Sequence, residues 1–323
     1  MASLDSRSVR THSRRIAAAF ALLAALVASL TIAGCSSNKP AAAPTRSNFA
    51  SPEEAGEALV AAAKTADPAQ LAQVLGAGSE PIYKSGDAAE DKAALASFVE
   101  KFDRMSRWVT MADGSRVLYI GADNYPFPVR LKKNAAGRWA FDTQSGLDEI
   151  VSRRIGRNEL LAIDAVQAIA NAEELYFKTG HDGNPPHQYS QLIISTPGKH
   201  DGLYWKAEGK DVSPLGNVEE FASATVSAAA NGQPAVFDGY VIKILTAQGV
   251  NVNGGAKSYL VNGKLTGGFA VLAYPAKYQD SGIMTFLLGK GDVVYQKNLG
   301  ASTATAAAAF DSYNPDNTWV EAE

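Results

Sequence analysis

The chain has 323 residues, 46% of them apolar, and a formal net charge of -3. That apolar share lies above any disordered composition, so a folded protein is expected. Its acidic balance gives no electrostatic hold on phosphate backbones, which excludes nucleic acid as a partner. The single cysteine, Cys35, would in an ordinary secreted chain be flagged as a reactive thiol or an intermolecular bridge.

The N-terminus accounts for that cysteine. Arg7, Arg10, Arg14 and Arg15 face one acid, Asp5, and residues 16–34, "IAAAFALLAALVASLTIAG", carry no charge. This is the layout of a secretory signal: a basic region, an apolar run and small residues at its end. The run closes in Ile32-Ala33-Gly34-Cys35, which resembles the bacterial lipobox. The resemblance implies a signal peptide over 1–34, diacylation of the Cys35 sulfur and a mature chain that begins there. A sulfur held in a thioether needs no partner. Two or three acyl chains, at about 0.8 kcal/mol per buried methylene, hold a protein at a membrane where one myristoyl chain is marginal. The competing reading is an uncleaved anchor, because the run is close to the roughly 20 residues that span a bilayer. Ser36 rather than Asp after the cysteine resembles outer-membrane-bound lipoproteins. A chain starting at Cys35 loses a surplus of three positive charges and carries -6. Residues 35–48, "CSSNKPAAAPTRSN", read as a flexible tether, and the roughly 275 residues beyond it suit one large domain or two ordinary ones.

Residues 49–155 read as helices followed by strands. Ser51-Pro52-Glu53-Glu54 has the form of a capping box with proline at the first helical position. Asp67-Pro68 and Asp87-Ala88-Ala89-Glu90 repeat the logic, so helices are predicted over 52–65, 68–75 and 88–105. "SRVLYIGA" (115–122), "FPVRLKKN" (127–134) and "GRWAFDT" (137–143) are predicted strands, with a hairpin loop at Asn134 to Gly137. A helix over 147–154 closes the segment. This α+β order and the phrase "SPEEAGEALVAAAKTADPAQLAQVLG" resemble the cystatin-like and nuclear-transport-factor-like class, whose helices wrap a cupped sheet. That likeness implies a ligand cup or an adaptor. The catalytic members of the class carry an Asp-His pair inside the cup, and this segment has no histidine.

Residues 156–320 read as one amphipathic helix and an antiparallel sheet. Leu160, Ile163, Val166, Ala170 and Phe177 fall within an arc of about 120° at the helical step, predicting a helix over 157–178. Strands are predicted over 240–247, 258–263, 267–275, 282–289 and 292–299, with the last turn at Gly289-Lys290-Gly291. A helix followed by "GYVIKIL" and "GGFAVLAYPAKYQDSGIMTFLLGKGDVVYQKNLG" is similar to the globular part of pilins and pseudopilins. Filament assembly does not follow, because the helix starts more than 150 residues into the chain and carries Asp164, Glu173 and Glu174. The phrases "FASPEEAGEALV", "RRIGRNEL", "STPGKHDGLYW", "SPLG", "GYVIKILTAQG" and "DVVYQKNLG" resemble a family of exported bacterial proteins, domain-of-unknown-function family 2950, over nearly the whole chain from Phe49. That family implies no activity.

Several groups of residues could carry chemistry. His181, His187 and His200 lie within twenty residues of one another, beside Asp182 and Asp201. Their spacing fits no standard zinc pattern; loop histidines that bond locally are the plainer reading. Ser195 with His200 and Asp201 has the residue types of a nucleophile, base and orienter, but lacks a G-x-S-x-G elbow, and "STPGKHDG" reads more simply as two turns. Arg153, Arg154 and Arg157 at the expected junction suit either salt bridges between the segments or an anion site. Tyr204 and Trp205, with Tyr125, suit either a groove for a peptide or glycan or simple core packing. The expectation is therefore a lipid-anchored periplasmic or envelope protein acting as a non-enzymatic binding or assembly module without cofactor. A protein partner in the envelope fits this reading. The alternative is a metal-dependent or other hydrolytic envelope enzyme using the histidine region.

Overall fold

In the structure, a computed structural model that describes residues 48–181, 187–206, 211–216, 236–291 and 293–322, Ser51, Asp67 and Asp87 each begin a helix. Ser51 Oγ accepts the Glu54 N–H at 3.1 Å, and the Glu54 carboxylate reaches back to the Ala50 N–H. Asp67 accepts from Ala69, and Asp87 from Ala89 and Glu90. These bonds satisfy donors that the first turn leaves without an intrahelical partner. The helices are α1 (Pro52–Thr65), α2 (Pro68–Leu75), the short α3 (Glu80–Tyr83) and α4 (Ala88–Arg104).

A five-stranded antiparallel sheet follows: β1 (Ser106–Thr110), β2 (Arg116–Ile120), β3 (Tyr125–Pro126), β4 (Leu131–Lys133) and β5 (Trp139–Phe141). The order is β1-β2-β4-β5, with β3 also on β2. The loop at Asn134 is the expected hairpin: Gly137 donates to the Asn134 carbonyl and takes φ +74°, a left-handed conformation that glycine adopts without a steric penalty. One sheet face carries Leu118, Ile120, Leu131 and Phe141, which pack with Leu59, Leu71 and Leu75 from the helices.

The two helices predicted over 147–154 and 157–178 are one, α5 (Thr143–Thr179), of 37 residues and about 55 Å. The expected boundary at 155/156 falls inside it. Its buried stripe also differs from the predicted arc. Ile155, Ala162, Ile169 and Tyr176 recur at seven-residue spacing with Val166 beside them, while Leu160 is 63% exposed. Two polar residues, Asn158 and Glu173, belong to the buried face, which is why a stripe drawn through apolar residues alone is rotated from the true one. Gly156 stands mid-helix with open space where a Cβ would lie. Gly156→Ala is therefore expected to raise stability by about 0.5–1 kcal/mol, measured by urea unfolding. A loss instead would mean that the chain bends there.

After α5 come β6 (Val236–Phe237), β7 (Tyr240–Leu245), β8 (Ala247–Gln248), β9 (Lys257–Ser258), β10 (Leu260–Val261), β11 (Lys264–Leu265), β12 (Ala270–Pro275), β13 (Met284–Gly289), β14 (Val294–Asn298), α6 (Thr303–Ala308) and β15 (Val320–Glu321). Six of the strands form an antiparallel sheet in the order β15-β14-β13-β12-β7-β6. Side chains alternate across it. Val271, Ala273, Phe286 and Leu288 meet α5, whereas Ala270, Leu272, Tyr274 and Leu287 face Ala307 of α6 and Trp319. The expected helix on an antiparallel sheet is present, and a second cover lies on the opposite face. Burial on both faces explains the unbroken apolar run of β12, which lacks the polar alternation of a half-exposed strand. The described fold is α+β.

Candidate binding site

An apolar concavity lies among the first four helices, where the sequence alone points to no site. α1 and α2 present Leu59, Ala63, Leu71 and Leu75; α4 presents Ala94, Leu95 and Phe98; Phe127 closes the space from the sheet side. The cavity measures about 240 Å³. No residue of α4 is fully buried, and Leu95, Phe98 and Phe102 are only partly covered although they pack on the core. The helix packs along α1, and its half-covered apolar side chains border the cleft beside α2 and α3. Phe98 is anchored by Phe127 at 5.4 Å between ring centroids, and Phe127 in turn by Phe141 at 6.4 Å.

The mouth is polar. Asp91 accepts the Ser85 N–H at 2.6 Å, and the Tyr83 hydroxyl donates to the Pro68 carbonyl at 3.2 Å. Burial pushes the Tyr83 hydroxyl above its ordinary pKa, so at neutral pH it is a donor. Lys84 is exposed beside them. A pocket with apolar walls and few polar groups at its rim is the usual form of a small-molecule site.

The residues singled out in the sequence are distributed differently. Cys35 lies outside the described residues, as does Asp182. Arg153 spans two elements: it bonds Glu149 one turn back and the Pro126 carbonyl of β3. Arg154 reaches the other way, to the backbone and carboxylate of Asp280. Arg157 is exposed. Two of the three guanidinium groups are thus committed to internal bonds, the salt-bridge role rather than an anion site. Asn158 and Glu159 continue the pattern. The Asn158 amide donates to the Ser281 carbonyl at 3.0 Å, and one Glu159 oxygen accepts the Ile283 and Met284 N–H groups at 2.9 and 3.0 Å. Most of "RRIGRNEL" is therefore a clamp between α5 and the loop that feeds β13.

His181 and His200 do meet, on Trp205. The His200 ring stacks on it at 4.4 Å and the His181 ring meets it edge-on at 5.1 Å. Trp205 is 6% exposed, and among the described residues its Nε1 has no hydrogen-bond partner. His200 also lies 3.3 Å from Asp211, and the Tyr176 hydroxyl donates to the His200 carbonyl. His187 is held elsewhere, edge-on to Phe177 at 5.3 Å. Among the described residues no three His, Cys, Asp or Glu side chains form a group that would hold a metal ion. Ser195 Oγ accepts the Gly202 N–H, and Asp201 accepts that of Thr196; both serve the turns of "STPGKHDG" rather than a nucleophile and its orienter. Tyr204 is buried in the core under α5, while Tyr125 lies on β3 with Lys101 and Arg153 against its ring. These aromatics belong to separate packing environments.

Among the described residues no helix is long and apolar enough to cross a membrane. No curated protein and no solved structure matches the chain, so the likenesses to pilins and to cystatin-like domains gain no support. One family model does match, over residues 46–322, and the chain belongs to that family, described as "Protein of unknown function (DUF2950)".

Proposed function

We propose that this chain is a lipid-anchored protein of the bacterial cell envelope that acts by binding, with the cleft between α4 and α1–α2 as its ligand site. The observation that carries the reading is the cleft itself: a preformed space of about 240 Å³ with apolar walls and a polar mouth. The leader pattern and Cys35 support the address. The hydrolytic or metal-dependent alternative would need His181, His187 and His200 to converge, and His187 packs on Phe177 while the other two flank Trp205.

Residues 43–323 form one compact unit, so a soluble chain beginning at Ser36 is the material for the test. Titrated with N-phenylnaphthylamine, an apolar fluorescent probe, it is expected to saturate at one probe per chain. Ala94 is an exposed residue on the α4 wall, and Ala94→Trp places a ring at the mouth without disturbing the core. The variant is expected to bind at least about tenfold more weakly, 1.4 kcal/mol, with an unchanged melting temperature. Absence of saturable binding, or equal binding by the variant, would remove the cleft as the ligand site.

A further inference from the structure

We infer that the end of the first sheet that carries the loops 111–115 and 134–138 docks on an anionic bilayer surface, with Arg116, Lys133 and Arg138 meeting the lipid phosphates; this rests on Cys35 being the anchor. The strand register brings the two loops together. Thr110 pairs with Arg116 to close the first hairpin and Lys133 with Trp139 to close the second, while Arg116 pairs with Leu131, so both loops leave the sheet at the same end. The chain enters the fold there. Phe49 exchanges backbone hydrogen bonds with Trp139 at 2.8 and 2.9 Å, and Asn48 accepts from the Arg138 guanidinium and the Asn134 amide. Thirteen residues separate Cys35 from Asn48, a flexible length of about 20 Å. An anchor at Cys35 therefore holds this end close to the bilayer.

Charge then selects the surface. Arg116, Lys132, Lys133 and Trp139 line an open concavity of about 530 Å³ between the loops. The Trp139 ring is 7% exposed and holds the Arg116 and Lys133 charges 5.3 and 5.2 Å from its centroid, which keeps both at the sheet end. Among the described residues Arg116, Lys133 and Arg138 have no ion-pair partner. The acids of this end are engaged: Asp113 accepts the Ser115 N–H and hydroxyl, Asp142 pairs with Lys132, and Glu54 reaches the Ala50 N–H. With Arg130 the cations outnumber these acids, in a chain that carries -6 once it begins at Cys35. An anionic surface repels such a chain as a whole and attracts it through this end, by about fivefold in affinity per basic residue brought close. Ser115, the buried polar residue of the concavity wall, is spent on Asp113, so nothing there encloses a single small ion. Exposed cations at the bases of two loops suit an extended surface.

A chain beginning at Cys35 carries a single thiol and can be coupled through it to a maleimide lipid, so the test does not depend on native acylation. It is placed on vesicles of phosphatidylcholine alone and of equimolar phosphatidylcholine and phosphatidylglycerol, and lysine acylation by a water-soluble reagent is read residue by residue by mass spectrometry. Lys132 and Lys133 are expected to react at least about fivefold more slowly on the anionic vesicles, and the exposed Lys257 and Lys264 at equal rates on both. Salt at about 1 M, where screening leaves a reach of about 3 Å, is expected to remove the difference. Arg138 is exposed, and Arg138→Glu is expected to remove it too, at an unchanged melting temperature. Equal rates on both vesicle types, slowing shared by all four lysines, or slowing that survives salt or Arg138→Glu would overturn the docking end. The same slowing by soluble polyphosphate on neutral vesicles would overturn it in favour of a soluble polyanion. A native protein without acyl mass at Cys35 would instead remove the anchor reading, whatever the lysines show.

Discussion

Replacing Glu159 with alanine is expected to lower the unfolding free energy by about 2–4 kcal/mol, whereas glutamine should cost less than about 1 kcal/mol. One Glu159 oxygen accepts two backbone N–H groups at the entry to β13. Alanine leaves both donors without an acceptor in a half-buried loop, and a charged acceptor is worth more than a neutral one. Glutamine keeps an oxygen in place. The comparison separates hydrogen bonding from charge, and urea unfolding at constant m-value measures it. Equal losses for the two substitutions would make the charge decisive; a negligible loss for alanine would mean that the clamp does not hold the sheet to α5. The neighbouring Arg154–Asp280 pair has both side chains more than 40% exposed, and such pairs contribute at most about 1 kcal/mol.

The second large effect belongs to Glu173. Its side chain is fully buried on α5; one oxygen accepts the Ser190 N–H at 2.8 Å, and among the described residues the other has no partner. Burial pushes the carboxyl well above the usual carboxylate range, the Ser190 bond opposes the shift, and the adjacent Glu174 adds to it. The folded state therefore holds this proton more tightly than the unfolded chain. The stability it confers is complete below the unfolded pKa, declines as pH rises, and is lost above the folded pKa. Glu173→Gln removes that dependence. The variant is expected to match the wild type near pH 4 and to exceed it increasingly toward pH 8, with the difference growing by at most about 1.4 kcal/mol per pH unit. Glu174, Tyr189 and Lys290, which interact with one another nearby, are common to both proteins, so the difference reports Glu173 together with its repulsion from Glu174. Parallel stability curves would show that Glu173 does not stay protonated in the fold.

Local chemistry made the helix starts legible in advance. Ser51, Asp67 and Asp87 cap where their sequences say they should, because an N-cap acts within three residues and needs no tertiary context. The hairpin at Asn134–Gly137 is local in the same way. What the sequence obscured depends on contacts distant along the chain. β1 lies at the edge of its sheet with mostly exposed side chains, so its sequence, SRWVT, carries little burial pattern. The α5 stripe contains Asn158 and Glu173, and only their partners at Ser281 and Ser190 explain why polar residues face inward. The second cover over β12 follows from a short alanine-rich helix and Trp319, which no periodicity links to the sheet.

The candidate site was the least legible part. Leu95, Phe98 and Phe102 repeat at helical spacing, which predicts an inward face for α4 but not the gap beneath it. The phrase "RRIGRNEL" stood out, and its residues turn out to fasten one element to another. Trp205 and two of the histidines were also singled out, and they pack on one another. Residue type alone does not tell a fastener from a ligand contact, because arginine, histidine and tryptophan serve both.

The claim on which the envelope reading depends is that this fold is carried at a membrane by Cys35. Intact-mass analysis and membrane fractionation of the native protein beside Cys35→Ala test it most directly. The account predicts a wild-type chain that starts at Cys35 with added acyl mass and sediments with the membrane, and a variant that leaves it. A wild type that retains residues 1–34, or one that is soluble and cleaved elsewhere without acyl mass, would contradict it.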